Sequence, residues 1–245
     1  MKALVLCAGF GTRLGNLTRE IPKPMLPICD KPLLAYTIRY LVAYGFDDIA
    51  INLHFKPDVI KDYFGDGRNW GATLHYTYEE QLLGTAGAVK ALEPFFSDVE
   101  DFLIIYGDLL IDQDLQSMWI YHKQKSALAT LLMHQRKHSN SLLQLDDDGR
   151  IRNFVERPSE EERQKLEGSH SWVNSGVQFL NRRILSHIPG DHPCDLPRDI
   201  YPAILERESI FGFPLSGYRC AIDSPERYEQ AQVAVQDKSY SLPDF

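Results

Sequence analysis

Residues 3–25 read ALVLCAGFGTRLGNLTREIPKPM, an apolar run that passes directly into a glycine-rich segment. The continuous apolar run from Ala3 to Ala8 is typical of a strand buried on both faces. Gly9 and Gly11 follow at once, and their lack of a Cβ leaves backbone N–H groups open to a phosphate. The stretch therefore predicts an α/β fold whose first strand ends at a phosphate-binding loop.

Two cations in the same stretch support this interpretation. Arg13 carries a planar, permanently charged group that suits phosphate oxygens. Lys23 stands between Pro22 and Pro24, which restrict the backbone on both sides, so its ammonium is presented from a stiff segment. Together with the glycines, these residues predict a site for a nucleoside triphosphate.

Two common glycine motifs and a simple turn account for this loop less well. The Walker pattern needs Gly-x-x-x-x-Gly-Lys-Ser/Thr, which this loop does not have. The dinucleotide motif needs a third glycine where Leu14 stands and an acid closing a second strand, whereas Asp30 lies in a turn sequence. A tight turn would account for the two glycines, but it would not account for Arg13 and Lys23.

Composition narrows the class of protein. The chain has 245 residues, of which 44% are hydrophobic and 24% charged, values that are ordinary for a soluble globular protein. A net charge of −8 without a Lys/Arg cluster argues against nucleic acid as a partner. With no apolar run of membrane-spanning length and no signal peptide pattern, we expect no membrane partner. Four widely spaced cysteines predict reduced thiols and a cytoplasmic protein: Cys7, Cys29, Cys194 and Cys220.

Strand and helix patterns alternate through the first half of the chain, and the second half is richer in strands. This order predicts an α/β fold with a mixed, mainly parallel sheet flanked by helices. We expect a single domain, 1–245, in which 1–125 mainly bind the nucleotide and 126–245 mainly bind the acceptor. Predicted strands are 3–8, 48–53, 73–78, 102–106, 127–133, 142–145, 151–155, 172–180 and 218–222. Predicted helices are 33–44, 57–64, 85–92, 197–206 and 225–235, with a capping box at Ser159 and Glu162.

A carboxylate is expected at the same sheet edge as the glycine loop. Asp108 follows the apolar strand 102–106, and ligands bind beyond the carboxyl ends of strands in open parallel sheets. Mg²⁺ typically uses only one or two protein carboxylates together with phosphate oxygens, so Asp108 is a candidate metal ligand. The alternative is that Asp108 caps the next helix, but Asp112 is the better cap.

Three further motifs are less specific. Gly84 and Thr85 lie in a small-residue turn at a helix start, a common arrangement that could lie flat against a base or sugar. Glu156 and Arg157 end a strand and could bind a hydroxyl and a phosphate, or form an ordinary surface ion pair. The segment Asn174–Gly176 suits hydrogen bonding to hydroxyls, or a β-bulge.

In order and spacing, these motifs resemble the sugar-1-phosphate nucleotidyltransferases over nearly the full chain. A segment containing Tyr63 and Trp70 looks most like the mannose-1-phosphate guanylyltransferase branch. The matching residues are Gly9, Gly11 to Leu14, Pro22 to Met25, Leu83 to Gly87, Gly107, Asp108, Glu156 to Pro158, Asn174 to Gly176, Pro225 and Glu226.

The resemblance implies a Rossmann-like catalytic domain with a small sugar-binding β subregion. In such enzymes an oxygen of the sugar 1-phosphate attacks the α-phosphorus of a nucleoside triphosphate, and pyrophosphate leaves. By the family pattern, the catalytic residues are Arg13, Lys23 and Asp108. The nucleotide-binding residues are Ala8, Gly9, Gly11, Thr12, Arg13, Gly84 and Thr85. The sugar-phosphate-binding residues are Glu156, Arg157, Asn174 and Gly176.

The chain departs from the family pattern at several positions. Arg157 stands where lysine is usual, and Asn140 and Ser141 stand where a glycine is common. The position of the second Mg²⁺-binding aspartate is Ala221, and we expect Asp223 to take over that role. The alternative is that Asp223 caps the last helix, but Ser224 can fill that cap equally well, directly before Pro225. The longer members continue into a left-handed β-helix, which we do not expect here because the sequence ends at Phe245.

The leading hypothesis is a Mg²⁺-dependent enzyme that joins GTP to mannose 1-phosphate or a manno-heptose 1-phosphate. A dTTP- or UTP-dependent relative is the next hypothesis. A non-catalytic regulatory protein that binds a nucleotide sugar is a third, favoured by Ala221 and opposed by the retention of Arg13, Lys23 and Asp108. A homo-oligomer is an option that the sequence leaves open.

Overall fold

A computed structural model of the protein describes residues 1–136, 141–162 and 172–240. The chain divides into two compact units that are built from interleaved segments. The first unit comprises Met1–Leu82, Ile104–Asp114 and Ser216–Phe245, and the second comprises Leu83–Leu103 and Leu115–Leu215. The expected single catalytic domain, with a nucleotide-binding half 1–125 and an acceptor-binding half 126–245, stays a prediction.

The described strands and helices follow most of the predicted pattern. The strands are β1 (Lys2–Leu6), β2 (Pro27–Ile28), β3 (Lys31–Pro32), β4 (Asp48–Leu53), β5 (Thr73–Tyr78), β6 (Asp101–Tyr106), β7 (Leu109–Ile111), β8 (Ala129–Gln135), β9 (Ser141–Leu145), β10 (Ile151–Glu156), β11 (Trp172–Asn181), β12 (Ile210–Pro214) and β13 (Arg219–Ala221). The α-helices include α1 (Leu33–Ala43), α2 (Pro57–Phe64), α3 (Gly84–Ala91) and α4 (Leu115–Gln124), followed by Tyr201–Ile204 and Pro225–Gln236.

The first unit is built on a parallel sheet. Strand β1 pairs in parallel with β4, and β4 pairs in parallel with β5. The end of β6 in this unit lies beside β1, and the Gly107 N–H donates to the Leu6 carbonyl at 2.9 Å. The residues Ala3, Leu4 and Val5 are fully buried, as expected for a strand covered on both faces. The predicted class, α/β with a largely parallel sheet flanked by helices, is confirmed.

The second unit contributes a β-rich region. Strand β9 pairs antiparallel with β10 and with β11, and β11 pairs antiparallel with β8. Strand β12 adds to β8 in parallel. At Ser159 the predicted capping box is present, because the Ser159 N–H donates to Glu162 Oε2 at 2.7 Å and the Glu162 N–H donates to Ser159 Oγ at 3.3 Å. The residues 163–166 that would continue that helix lie outside the described part of the chain.

Several local expectations need correction. Asp112 does not cap α4, which begins at Leu115, because the Asp112 carboxylate accepts the backbone N–H of Tyr218. Strands β2, β3, β7 and β12 have no counterpart among the predicted strands. The predicted helix 197–206 is a π-helical turn, Leu196–Ile200, that runs into Tyr201–Ile204. Each of these two pieces contains a proline, which removes a backbone donor.

All four cysteines are free thiols, and three of them are buried. No helix among residues 1–136, 141–162 and 172–240 combines the length and apolar character needed to cross a membrane.

Candidate active site

The glycine loop after β1 is folded against Lys23. Gly11 has a φ of +68°, a left-handed conformation, and a short 3₁₀ segment, Thr12–Thr18, follows it. A Cβ added to Gly11 would lie 3.0 Å from Lys23 Cβ, and the Thr18 hydroxyl donates to the Gly11 carbonyl at 2.9 Å. Gly9, Thr12 and Arg13 are exposed, whereas Ala8 is buried. The loop therefore offers its backbone and Arg13 to solvent while its base is packed.

Lys23 and Asp108 meet at the end of β6. The Lys23 ammonium lies 2.6 Å from Asp108 Oδ2, and the lysine side chain is only 11% exposed. Gly107 makes this approach feasible, since a Cβ there would stand 2.4 Å from Cys7 Sγ and 3.0 Å from the Leu6 carbonyl. The glycine lets β6 end against β1, which delivers the next residue, Asp108, to the edge where the loop begins.

Arg13 faces a second carboxylate. Arg13 lies 3.7 Å from Asp223, and Arg227 lies at the same distance from it. Ser224, not Asp223, caps the helix Pro225–Gln236, because its hydroxyl oxygen accepts the Arg227 N–H at 3.3 Å. The Ile222 N–H donates to the Asp108 carbonyl at 2.9 Å, so the backbone leading to Asp223 is attached to that of Asp108.

The carboxylates of Asp108 and Asp223 suit a magnesium ion whose remaining ligands would come from water and substrate. Asp108 and Asp223 are hard oxygen donors on neighbouring backbone segments, and each now faces a cation. Within the described ranges of the chain, no group of three or more His, Cys, Asp or Glu residues could enclose a metal. This donor set suits Mg²⁺, which keeps waters and substrate phosphate oxygens in its coordination sphere.

Two residues of the first unit that the sequence did not single out support the loop. The Cys7 N–H donates to Asn52 Oδ1 at 2.8 Å, and Asn52 Nδ2 donates to Glu79 Oε1 at 2.7 Å. Both Asn52 and Glu79 are buried. The sequence signal that could have revealed Asn52 is its polar amide in the otherwise apolar strand Asp48–Leu53, because a buried polar side chain needs a hydrogen-bond partner.

In the second unit, the Gly84–Thr85 turn is tied to a distant segment of the chain. The Thr85 N–H donates to Asp195 Oδ1 at 2.9 Å, and the Thr85 hydroxyl accepts the Leu196 N–H at 2.8 Å. Gly84 has a φ of +74°, and a Cβ there would lie 2.4 Å from the Cys194 carbonyl oxygen. The small residues of this turn are therefore required by the approach of Cys194. Nucleotide binding by Gly84 and Thr85 stays a prediction.

Glu156 and Arg157 stand at the end of β10, on an unusual backbone. Glu156 is half-buried, and burial raises its pKa to about 7, with the nearby charge of Arg157 opposing the rise. Arg157 is exposed and has a φ of +53°, a left-handed conformation that a non-glycine residue adopts at a cost and that is frequent at functional sites. This end of β10 thus combines a carboxyl group that titrates near neutrality with an exposed cation.

Asn174 and Gly176 form the bulge that was one of the two expectations for them. Gly176, with a φ of +84°, donates its N–H to Asn174 Oδ1 at 3.0 Å, and the register of β11 shifts after Asn174. The Asn174 N–H donates to Ser141 Oγ at 3.2 Å, and Ser141 is the cross-strand partner of Glu156. Ser141 therefore links Glu156 and Asn174, a role that the sequence did not reveal.

Comparison with known proteins identifies the family. Residues 2–216 match the family model described as nucleotidyl transferase. A protein of Aneurinibacillus thermoaerophilus named D-glycero-alpha-D-manno-heptose 1-phosphate guanylyltransferase is 31% identical over 96% of this chain and 99% of its own length. The chain belongs to the family of sugar-1-phosphate nucleotidyltransferases, and the resemblance inferred from its motifs is confirmed.

Other relatives carry different substrate names. A Synechocystis protein named UTP–glucose-1-phosphate uridylyltransferase is 33% identical over 84% of this chain, which spans 55% of that protein. A mannose-1-phosphate guanyltransferase of Yarrowia lipolytica is 27% identical over 93% of this chain, which spans 62% of it. The chain thus covers little more than half the length of some relatives that it matches.

Solved structures share the fold. The crystal structure of HddC from Yersinia pseudotuberculosis superposes with a TM-score of 0.80 at 24% identity, over 96% of this chain and 99% of that one. A UDP-glucose pyrophosphorylase complexed with UDP-glucose gives a TM-score of 0.82 at 23% identity, over 97% of this chain and 98% of that one. At these identities the likeness concerns the fold.

Proposed function

We propose that the protein is a Mg²⁺-dependent nucleotidyltransferase that joins a nucleoside triphosphate to a sugar 1-phosphate. The observation that carries the proposal is the meeting of Lys23 and Asp108, at 2.6 Å, beside the glycine loop. A cation, a carboxylate and open backbone N–H groups at one sheet edge are what a triphosphate and its metal require. Membership of the family supports the same activity.

In the proposed reaction, an oxygen of the sugar 1-phosphate attacks the α-phosphorus. A new P–O bond forms as the bond to the β-phosphate breaks, and pyrophosphate leaves with the electron pair. Lys23 and Arg13 offset the negative charge that develops on the α-phosphate and on the leaving group. When bound at Asp108, Mg²⁺ would supply further positive charge against the phosphate oxygens. Glu156 and Asn174 bind the sugar hydroxyls, and Arg157 binds the sugar phosphate.

GTP and a mannose or manno-heptose 1-phosphate are the proposed substrates. The relative from Aneurinibacillus thermoaerophilus supports this choice, because it matches this chain over nearly the full length of both proteins. A UTP-dependent enzyme acting on glucose 1-phosphate is the second candidate, because the Synechocystis protein has the higher identity, 33%. A cytoplasmic location is also part of the proposal. The four free cysteine thiols support it, because thiols are kept reduced in the cytosol.

Pyrophosphate release tests the proposal. The purified protein is incubated with GTP, UTP or dTTP against mannose, manno-heptose or glucose 1-phosphate, with Mg²⁺ or with a chelator. We expect release that depends on both substrates and on Mg²⁺, with the highest kcat/KM for GTP and a manno-configured sugar. A clear preference for UTP with glucose 1-phosphate would favour the second candidate, and no release with any pair would contradict the activity.

A further inference from the structure

The segment Cys194–Asp199 lies across the start of helix α3. The Cys194 carbonyl accepts the N–H groups of Ala86 at 3.0 Å and Gly87 at 3.2 Å. The Asp195 carboxylate accepts the N–H of Thr85 at 2.9 Å and lies 3.4 Å from its hydroxyl. The first N–H groups of a helix have no partner within the helix, and here a segment about a hundred residues away in sequence provides one. The turn that opens α3 therefore depends on this segment for its position.

The turn Leu196–Ile200, which follows Asp195 directly, packs against β10, the strand that ends at Glu156. Asp195 lies 3.3 Å from the Arg198 guanidinium, and Arg198 also contacts Asp199 at 2.9 Å. Burial is the main reason that the pKa of Glu156 is raised, and Asp195 raises it further, whereas Arg157 and Arg198 lower it. Charges of opposite sign therefore act on Glu156. Two of them, Asp195 and Arg198, belong to the segment Cys194–Asp199 that contacts the start of α3.

We propose that Asp195 is a positioning residue, which holds the Gly84–Gly87 turn through the Thr85 N–H and, paired with Arg198, acts electrostatically on Glu156 at the end of the strand packed against it. The proposal rests on the proposed function insofar as Glu156 binds the sugar. One carboxylate would then act on a predicted nucleotide-binding turn and on a predicted sugar-binding group. No covalent role is involved, since Asp195 acts only through Thr85 and Glu156.

Two substitutions separate the hydrogen bond from the charge. Asp195→Asn keeps an oxygen that can accept the Thr85 N–H but removes the negative charge, whereas Asp195→Ala removes both. Arg198→Gln removes the opposite charge at similar length. Asp191→Asn is the matched control, because Asp191 lies in the same region with its side chain 85% exposed.

The first measurements need no substrate. The Glu156 carboxyl carbon is followed by NMR through a pH titration, its resonance being assigned by its absence in Glu156→Gln, and exchange of the Thr85 N–H is measured in parallel. We expect the Glu156 midpoint to move to lower pH in Asp195→Asn, to move to higher pH in Arg198→Gln and to stay in place in Asp191→Asn. Thr85 exchange should be about tenfold faster or more in Asp195→Ala, because a hydrogen bond to a charged acceptor is lost, and close to wild type in Asp195→Asn.

Steady-state kinetics then test the consequence for binding. Asp195→Ala should raise the KM for the sugar 1-phosphate about tenfold, with a smaller change in kcat. Unchanged Thr85 exchange in Asp195→Ala, or an unmoved Glu156 midpoint in Asp195→Asn, would overturn the proposal. If Asp195→Ala does not fold, the positioning role is tested by the Glu156 midpoint, which should shift in opposite directions in Asp195→Asn and Arg198→Gln.

A wild-type protein without turnover would refute the proposed function. The NMR titration and the Thr85 exchange rates would still test the positioning role of Asp195, because neither measurement needs a substrate.

Discussion

The Lys23 ammonium and the Asp108 carboxylate lie 2.6 Å apart although 85 positions separate them in the chain. Arg13 and Asp223 repeat the arrangement more loosely, at 3.7 Å. In both pairs a cation expected to bind phosphate faces a carboxylate expected to bind metal. In the proposed function, Lys23 and Arg13 would pair with the phosphate oxygens of the triphosphate, and Asp108 and Asp223 would be the residues that hold Mg²⁺.

Asp108→Asn should nearly abolish turnover while leaving the protein folded. The substitution keeps the shape of the side chain but removes the charge that pairs with Lys23 and that would bind Mg²⁺. We expect kcat to fall about 10²–10³-fold, the range for loss of one electrostatic group at a reacting centre. Pyrophosphate release measures the loss and circular dichroism checks the fold. Near-normal activity would show that the metal assignment is wrong.

Lys23→Ala should lower kcat more than it raises KM. In the proposed reaction the ammonium offsets the charge that develops on the α-phosphate, so its removal should cost about 10²–10³-fold in kcat. Lys31→Ala is the control, because Lys31 is a more exposed lysine of the same unit that pairs with Asp30 at 3.8 Å. A rise in KM alone would make Lys23 a ground-state binding group.

Asp223→Ala tests the second carboxylate. If Asp223 binds Mg²⁺ directly or through one water, the variant should need a higher Mg²⁺ concentration for half-maximal activity, and isothermal titration with Mg²⁺ and a non-hydrolysable triphosphate should show weaker binding. Glu229→Ala, which removes a carboxylate on the following helix, is the control. Full activity and unchanged Mg²⁺ dependence in Asp223→Ala would leave Asp108 as the sole carboxylate of importance.

Glu156 should give the enzyme a pH dependence near neutrality. Burial raises its pKa from 4.5 to about 7. Above that pH the carboxylate can accept hydrogen bonds from sugar hydroxyls with both oxygens, so the KM for the sugar 1-phosphate should fall as the pH rises through about 7. In Glu156→Gln this fall should disappear, while the substrate phosphate, which titrates near pH 6, affects both enzymes alike. Identical KM profiles would show that Glu156 does not bind the sugar as an ion.

The same shift predicts the direction of a stability change. A carboxyl group whose pKa is raised on folding binds its proton more tightly in the folded protein, and this contribution to stability is lost as the group ionises. For Glu156 the free energy of unfolding should therefore fall as the pH rises from about 4.5 to about 7. Urea unfolding at several pH values, compared between the wild type and Glu156→Gln, measures this contribution. A difference that grows in the opposite direction would contradict the raised pKa.

The sequence predicted the elements whose signals are local. Strand Lys2–Leu6 is a continuous apolar run, and helix Leu33–Ala43 is followed by Gly45, whose φ of +78° suits a helix end. Prolines stand on both sides of Lys23 in the 3₁₀ turn Lys23–Met25, so the sequence also predicted that this backbone is stiff. In each case the information lies within a few residues of the element itself.

Pairings between distant segments were beyond the sequence alone. Strand β7 has only three residues and forms by pairing with β13, so its partner begins more than a hundred positions away. Asp112 has the character of a helix cap, but its carboxylate is taken by the Tyr218 N–H. Thr85 similarly has the character of a ligand group, whereas its amide and hydroxyl meet Asp195 and Leu196. When a side chain could bind either of two partners, the tertiary structure determines which of them it contacts.

Because its segments are interleaved with those of the second unit, the first unit cannot complete its fold early in the synthesis of this chain. Its glycine loop is made before the second unit, whereas Cys220, Ile222 and Ala231, which complete the apolar cluster around Leu26 and Ile28, are made after it. While the ribosome translates the whole of the second unit, the first must wait with that cluster unfinished and its apolar side chains uncovered. The emerging chain thus carries the glycine loop and Lys23 for some time before the helix Pro225–Gln236, which completes the packing beneath them, leaves the exit tunnel.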